Sequence, residues 1–136
     1  MGHDPKIFTQ LLACAREFAE HSHSPYSKFP VGAALLMEDG RIYGGCNIEN
    51  ASYSLTMCAE AVAIGKAVSS GNHRISHALV FAKNMDFCPP CGSCRQRLLE
   101  FSTPQTLVYL TSSSGQYQTH QLHDLIPSSF SLEQTD

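Results

Sequence analysis

The sequence predicts a layered α/β domain. Short apolar segments alternate with segments of helical periodicity, which is typical of helices packed on a sheet. The chain has 136 residues, 43% hydrophobic and 15% charged, which is enough for one domain with its own core. It shows no internal repeat, low-complexity segment or linker. We therefore expect residues 1–136 to form a single domain.

The first predicted element is a helix. Asp4 is a good N-cap, and Pro5 suits the first helical position. Pro25 ends any continuation of the helix. Between them apolar residues recur at helical spacing: Ile7, Phe8, Leu11, Leu12, Ala15, Phe18 and Ala19.

A hairpin is predicted next. Residues 31–37 form an apolar run typical of a buried strand, and Glu38-Asp39-Gly40 is typical of a hairpin turn. Residues 41–48 are the predicted partner strand. Inside it, Gly44 and Gly45 allow a bulge or the close approach of another element.

The second half alternates helices and strands. We predict helices at 58–70, ended by Gly71, and at 91–101, opened by Pro90. The remaining elements follow from short apolar runs and turn residues. They are strands at 78–82 and 106–111, an edge strand at 116–119, a short helix at 122–126 and a disordered tail at 131–136.

Charge and hydropathy restrict the partners of the chain. The net charge is −3, and the nine Lys and Arg residues are scattered, unlike the basic stripe that binds a phosphate backbone. We therefore expect a small-molecule substrate and no nucleic-acid polymer. No apolar run approaches the ~20 residues of a membrane span, and residues 1–6 lack a signal-peptide layout. We expect a cytoplasmic protein without membrane contact.

The six cysteines indicate a metal site. Three of them, Cys88, Cys91 and Cys94, lie within seven residues of a chain without an export signal, which favours metal binding over disulfides. Cys14 and Cys46 have apolar neighbours and are expected to be packed thiols.

The most informative motif is Cys58-Ala59-Glu60, followed by Pro90-Cys91-Gly92-Ser93-Cys94. Three thiols can hold one zinc ion and leave its fourth tetrahedral position open for water. Each of the three lies near a predicted helix start, where the helix dipole favours a thiolate. A carboxylate beside such an ion can transfer protons. The motif therefore predicts a hydrolytic zinc site.

The spacing of Cys58 and Glu60 sets a condition on this site. Two residues along a regular helix correspond to a turn of ~200°, so the two side chains share one side only if Cys58 lies at the helix start. Glu60 would then act as an acid–base and not as a fourth ligand. A closed structural site with Cys88 as fourth thiolate, or a redox Cys-x-x-Cys pair, remain alternatives on spacing alone.

Five segments in order resemble the small, three-cysteine, homotetrameric cytidine deaminases. They are SPYSKFPVGAA at 24–34, GCNIENASY at 45–53, CAE at 58–60, PCGSCRQ at 90–96 and LIPSSF at 125–130. The general signature of zinc deaminases likewise pairs a Glu beside one ligand with a later Pro-Cys-x-x-Cys. The resemblance covers nearly the whole chain, and five ordered motifs are very specific.

The resemblance implies zinc-dependent hydrolysis of cytidine and 2′-deoxycytidine to uridine and 2′-deoxyuridine with release of ammonia, a reaction of pyrimidine salvage. Cys58, Cys91 and Cys94 match the zinc ligands. Glu60 matches the proton shuttle, and the backbone of Ala59 matches a contact to the pyrimidine edge. The implied fold is a three-layer domain with a mixed five-stranded sheet flanked by helices, and the implied assembly is a homotetramer that shares its active sites.

Further substrate contacts are implied by the same resemblance. Asn47 and Glu49 match a pair that hydrogen-bonds the ribose hydroxyls, and residues two apart on a strand do point to one side. Phe29 matches an aromatic residue near the nucleoside. Tyr53 and Phe130 match residues that line an active site across a subunit interface.

One departure from the family pattern concerns the charge of the site. Members of this type usually carry Arg directly after the motif glutamate, where this chain has Ala61. Zinc with three thiolates has a formal charge of −1 and is a poorer Lewis acid. We expect helix N-terminal N–H groups and Arg95 to offset that charge, and Ala61→Arg to change the pH optimum or rate.

Three alternative functions follow from the same residues. Deaminases of blasticidin-type nucleosides also lack that Arg, so a modified cytosine nucleoside is the alternative substrate. A protein with only a structural zinc, in which Glu60 is dispensable, is the alternative of another class. An enzyme that edits cytosine in RNA or DNA is disfavoured by the scattered charges.

Overall fold

A mixed five-stranded sheet organises the computed structural model, which describes residues 4–132. The sheet has the order β2-β1-β3-β4-β5, and only the β3–β4 pair is parallel. Its strands are β1 (Val31–Met37), β2 (Ile42–Cys46), β3 (Ile75–Ala82), β4 (Ser102–Thr111) and β5 (Tyr117–Gln121). The predicted mixed sheet of five strands is confirmed.

Four α-helices flank the sheet in the described residues, together with one 3-10 turn at Tyr53–Leu55. They are α1 (Pro5–Ala19), α2 (Ala59–Ser69), α3 (Gly92–Glu100) and α4 (Leu122–Leu125). Asp4 caps α1 as predicted, since its carboxylate accepts the Lys6 N–H at 2.9 Å. Among residues 4–132, no helix combines the length and hydrophobicity needed to cross a bilayer.

Two hydrophobic clusters cover opposite faces of the sheet. Leu79 and Phe81 pack with the apolar face of α1, whereas Ala78 and Val80 pack with α2, α3 and α4. Successive side chains of a strand point to opposite faces, so β3 contributes to both clusters. This burial on both faces explains why β3 has a nearly continuous apolar sequence.

Several predicted boundaries differ from the observed ones. β3 begins three residues earlier than predicted and β4 four residues earlier, because polar residues also pair across the parallel ladder. Ile75 lies opposite Ser102, and the buried Thr106 hydroxyl donates to the Ile75 carbonyl at 2.7 Å. The helices predicted at 58–70 and 91–101 start one residue later, because Cys58 and Cys91 are their N-caps.

The described part of the chain ends in exposed residues. Phe130 and Leu132 are exposed, at 70% and 73%. The tail at 131–136 is predicted to be disordered. Its last four positions lie outside the described part of the chain.

One end of the sheet gathers the elements that carry the cysteine motifs. Val31 at the start of β1 pairs with Ala82 at the end of β3, and Gly32 pairs with Cys46 at the end of β2. The N-termini of α2 and α3 follow from this same end. Such an edge, at the carboxyl end of a strand, is where α/β sheets bind ligands.

Gly45 lets α2 approach the sheet closely. A Cβ at position 45 would lie 2.6 Å from the Ala59 carbonyl oxygen and 2.7 Å from the Ala63 nitrogen. The predicted close approach in this strand is therefore confirmed. It fixes the first turn of α2, which carries Glu60, against β2.

Candidate active site

Three sulfur atoms form the centre of the site. The Sγ atoms of Cys58, Cys91 and Cys94 all lie within 4.8 Å of one another, and the Cys58–Cys91 pair is 3.8 Å apart. Two thiolates bound at 2.3 Å to a tetrahedral zinc would be about 3.8 Å apart. The donor set and its spacing therefore fit zinc.

The ionisation of Cys58 and Cys94 also fits a bound cation. The hydrogen bond from Cys94 lowers the pKa of Cys58 to about 6, and the same interaction raises the pKa of Cys94. Cys58 thus ionises first, and its negative charge opposes loss of the proton from Cys94. A divalent cation among the sulfurs removes this conflict, because metal binding replaces thiol protons.

Glu60 lies beside the sulfurs in a buried position. Its residue exposure is 5%. Burial, together with the nearby charge of Cys58, raises the pKa of the Glu60 carboxyl to about 7; a cation bound by the sulfurs would lower it. Cys58 has extended backbone angles as the N-cap of α2, with φ −73° and ψ 154°. The condition set by the spacing of Cys58 and Glu60 is therefore met.

A cavity of about 250 Å³ opens next to this cluster. Cys58, Cys91 and Glu60 line one side of it. The remaining wall comes mainly from the starts and ends of the strands and from the loop before α3: Phe29, Val31, Asn47, Thr56, Met57, Ala59, Val80, Cys88 and Pro89. The predicted residues Phe29, Asn47 and Ala59 thus meet the cysteine motif at one small cavity.

The Asn47 side chain is hydrogen-bonded to the loop that carries Phe29. Its Nδ2 donates to the Phe29 carbonyl at 2.9 Å, and its Oδ1 accepts the Val31 N–H at 3.0 Å. The Ser22 hydroxyl is a further partner of Oδ1. Within residues 4–132, one N–H of the Asn47 amide has no recorded partner and is left for a ligand, while the other holds the cavity wall.

Glu49 and Tyr53 lie in a neighbouring cavity of about 390 Å³, which shares Thr56 with the first. Glu49 Oε1 accepts the backbone N–H groups of Tyr26 and Ser27 at 3.0 and 3.1 Å, and the Ser27 hydroxyl donates to Oε2. The Ser27 hydroxyl and these backbone groups lower the pKa of Glu49. Glu49 is therefore a carboxylate that also anchors the turn before Phe29.

Phe130 lines neither of these two cavities of its own chain. It borders a third cavity of about 470 Å³ together with Arg74, Gln96 and Leu132. Its carbonyl accepts Gln96 Nε2 at 3.1 Å. The Phe130 ring is thus presented at the surface, away from Glu60 of the same chain.

Cys88 lines the first cavity but is not part of the sulfur cluster found in residues 4–132. Its Sγ faces the Pro89 carbonyl at 3.6 Å. Burial, followed by the charges of Glu60 and Cys91, raises the pKa of the Cys88 thiol. This arrangement disfavours the closed four-thiolate alternative.

The expectation that Arg95 offsets the charge of the thiolates is wrong. Arg95 Nε donates to the Pro90 carbonyl at 2.9 Å, and Nη1 donates to the Leu125 carbonyl at 2.8 Å. Arg97, which the sequence analysis missed, instead places Nη1 at 3.7 Å from Cys94 Sγ. The i, i+3 spacing of Cys94 and Arg97 on one helix could have identified it.

Comparisons with known proteins identify the relatives of this chain. Residues 6–111 match the family model described as "Cytidine and deoxycytidylate deaminase zinc-binding region". The chain is 47% identical over 124 residues to a cytidine deaminase of Sporosarcina psychrophila, covering 91% of each chain. It is 44% identical to one of Halalkalibacterium halodurans, covering 90% of this chain and 93% of that one.

The fold of this chain is also similar to that of a solved structure. The crystal structure of a cytidine deaminase from Burkholderia pseudomallei superposes with a TM-score of 0.85 at 36% sequence identity. The match covers 96% of this chain and 100% of the other. The fold and the sequence therefore have the same relatives.

Proposed function

This chain belongs to the cytidine deaminase family of hydrolases, and on that premise we propose that it hydrolyses cytidine and 2′-deoxycytidine to uridine and 2′-deoxyuridine. The exocyclic amine leaves as ammonia. The reaction would serve pyrimidine salvage. The observation that carries the proposal is the buried Glu60 beside three clustered sulfurs at a small cavity.

We assign the metal to the three cysteines. Cys58, Cys91 and Cys94 would hold one zinc ion, and the sulfur spacing supports this assignment. Zinc held there supplies the nucleophile, because it lowers the pKa of water. Both helix N-termini stabilise the thiolates through their dipoles and unpaired N–H groups.

Glu60 moves the protons in this proposal. Its carboxylate takes a proton from the attacking water and delivers it to N3 of the pyrimidine. Glu60 then transfers the remaining proton of the hydroxyl now bonded to C4 to the exocyclic nitrogen, so that the C4–N bond breaks, the C4 carbonyl forms and ammonia leaves. A carboxyl in a buried position suits this role, because it is held in place and shielded from bulk water.

The cavity wall orients the substrate. Phe29 offers an aromatic surface to the nucleoside, and Asn47 has one amide N–H left for the ribose. The cavity of about 250 Å³ suits a free nucleoside better than a polymer strand. In the described residues Glu49 Oε2 accepts one hydrogen bond, from the Ser27 hydroxyl, so a lone pair is left for a ribose hydroxyl while Oε1 keeps its contacts with the 26–27 turn.

We further propose a homotetramer with shared active sites. Tyr53 and Phe130 are 77% and 70% exposed and lie outside the Glu60 cavity of their own chain. Exposed aromatic residues of this kind are typical of interfaces. In the assembly they would complete the site of a neighbouring subunit.

The decisive experiment measures turnover and metal content together. Purified protein is assayed for zinc and incubated with cytidine, 2′-deoxycytidine and a modified cytosine nucleoside, while ammonia and the uridine product are quantified. We expect one zinc per chain and turnover of the first two substrates. Glu60→Gln should lower kcat by roughly 10²- to 10⁴-fold with zinc retained, whereas the exposed Glu17→Gln should be neutral.

The outcomes separate the alternatives. Unchanged turnover in Glu60→Gln would remove Glu60 from the mechanism. Bound zinc without turnover of any substrate would favour a structural metal, and turnover of only the modified nucleoside would change the substrate.

A further inference from the structure

Arg97 reaches the sulfur cluster from the second turn of α3. Its Nη1 lies 3.7 Å from Cys94 Sγ and 3.4 Å from the Ser93 hydroxyl. Cys94 itself is fully buried, with 0% exposure. A side chain in a helix leans toward the N-terminus, so an arginine three residues after a cysteine is suitably placed to donate to its sulfur.

The cluster needs a positive charge. Three thiolates and one Zn²⁺ carry a formal charge of −1, and the buried Glu60 lies beside them. Excess negative charge weakens a Lewis acid and disfavours ionisation of the last thiol.

The other basic side chains of α2 and α3, Lys66 and Arg95, have partners elsewhere. Position 61, next to the catalytic glutamate, is alanine. Arg95 donates to the Pro90 and Leu125 carbonyls, and Lys66 lies over the Phe18 ring at 4.0 Å. Within residues 4–132, Arg97 is the cation with a hydrogen bond to one of the three sulfurs.

We infer that Arg97 is a positioning residue that tunes the metal site by donating to Cys94 Sγ and offsetting the charge of the three thiolates. The inference rests on the proposed zinc site. An N–H···S hydrogen bond withdraws electron density from the sulfur, so the metal keeps more of its positive charge. Arg97, on α3, therefore offsets the charge of the thiolates, which Ala61, on α2, cannot do.

The test measures the metal directly and not only turnover. The zinc dissociation constant is determined by competition with a chromogenic chelator for the unmodified protein, Arg97→Gln and Arg97→Lys. We expect Arg97→Gln to bind zinc about 5- to 20-fold more weakly, in the range of a partly exposed hydrogen bond to a charged group. Arg97→Lys should recover part of the loss, because it keeps the charge but not the planar donor.

A spectroscopic readout distinguishes tuning from a general structural effect. With Co²⁺ in place of zinc, the sulfur-to-cobalt charge-transfer band should move to lower energy in Arg97→Gln, because the sulfur loses a donor. kcat should fall about 3- to 10-fold with little change in KM. Arg41→Gln, at a surface turn where Arg41 pairs with Asp39, is the matched control and should change none of these.

Each outcome decides the inference. An unchanged zinc dissociation constant and cobalt spectrum in Arg97→Gln would overturn it, while the proposed function would stand. Absence of zinc binding in the unmodified protein would overturn the proposed function itself. Weaker binding accompanied by a lower melting temperature in both Arg97 variants, with no band shift, would assign Arg97 a purely structural role.

Discussion

Asn47 illustrates how one side chain shapes the cavity beside the three cysteines. Its amide joins the end of β2 to the Phe29 carbonyl and the Val31 N–H, and it also accepts the Ser22 hydroxyl. Buried polar groups are costly when they lose such partners. Asn47 therefore fixes the position of Phe29 whether or not it also contacts the ribose.

At this scale we predict the effect of Asn47→Ala. The substitution leaves the Val31 N–H and the Phe29 carbonyl without their partner, so the free energy of unfolding should fall by about 2–4 kcal/mol. KM should rise more than kcat falls, because the chemical groups remain in place. Denaturant unfolding and steady-state kinetics measure the two effects.

Asn72→Ala is the control for that prediction. Asn72 donates to a single side chain, the Tyr43 hydroxyl at 2.8 Å, which lies away from the cavity. It should cost about 1 kcal/mol and leave KM unchanged. Equal KM values for Asn47→Ala and the unmodified enzyme would show that Asn47 does not position the substrate.

At the scale of secondary-structure elements, the N-termini of α2 and α3 form the site. Cys58 and Cys91 are N-caps without side-chain cap hydrogen bonds, so their sulfurs are available to a metal and lie where the dipole favours negative charge. The separation of β2 and α2 is set by Gly45, beside which the Ala59 carbonyl and the Ala63 nitrogen pack.

A pair of glycine substitutions in and beside α2 tests this packing. Gly45→Ala would place a methyl group 2.6 Å from the Ala59 carbonyl oxygen, so the start of α2 must move. We expect a loss of about 1–3 kcal/mol in stability and a fall in kcat, because Cys58 and Glu60 move with the helix. Thermal unfolding and kinetics check both.

Gly65→Ala is the matched control. Gly65 is exposed inside α2, and a Cβ there meets no atom within 4 Å. Alanine is favoured over glycine in a helix by about 1 kcal/mol, so this variant should be more stable and equally active. A fully active and stable Gly45→Ala would show that the close approach is not required.

The whole molecule exposes an apolar region around the mouth of the cavities. Large hydrophobic side chains there are 41–77% exposed: Tyr26, Ile48, Tyr53, Leu55 and Met57. Tyr26 and Tyr53 contact each other edge to face, with ring centroids 6.3 Å apart. This region supports the proposed assembly of several copies.

At this scale we predict that Leu55→Glu disrupts the assembly. A carboxylate at a position that is 62% exposed in one chain should not affect the fold of the subunit, but it is costly inside an interface. Sedimentation should show a tetramer for the unmodified enzyme and smaller species for the variant. Activity should fall with assembly, because Tyr53 and Phe130 would no longer reach a neighbouring site.

Ala13→Glu, on the exposed side of α1, should leave both assembly and activity unchanged. A monomeric, fully active unmodified enzyme would refute the shared active site.

The organisation of residues 1–136 as a single domain stays a prediction.

Much of the fold was predictable because it depends on local rules. The Asp4 cap and the Pro5 start of α1, the hairpin turn, and the helices that follow Cys58 and Cys91 agree with capping, turn and periodicity preferences. The extensions of β3 and β4 were not predictable, because polar segments become strands only when a partner strand satisfies their backbone groups.

The sequence by itself determined the family, the order of elements and the three candidate thiols with their glutamate, since motif spacing and helix starts are local. Tertiary structure alone decided that Arg95 donates to the Leu125 carbonyl, that Glu49 anchors the turn at Tyr26, and that Cys88 lines the cavity outside the cluster. The physical reason is that the direction of a long side chain depends on which partners the packed elements bring within hydrogen-bonding distance, and no residue spacing contains that information.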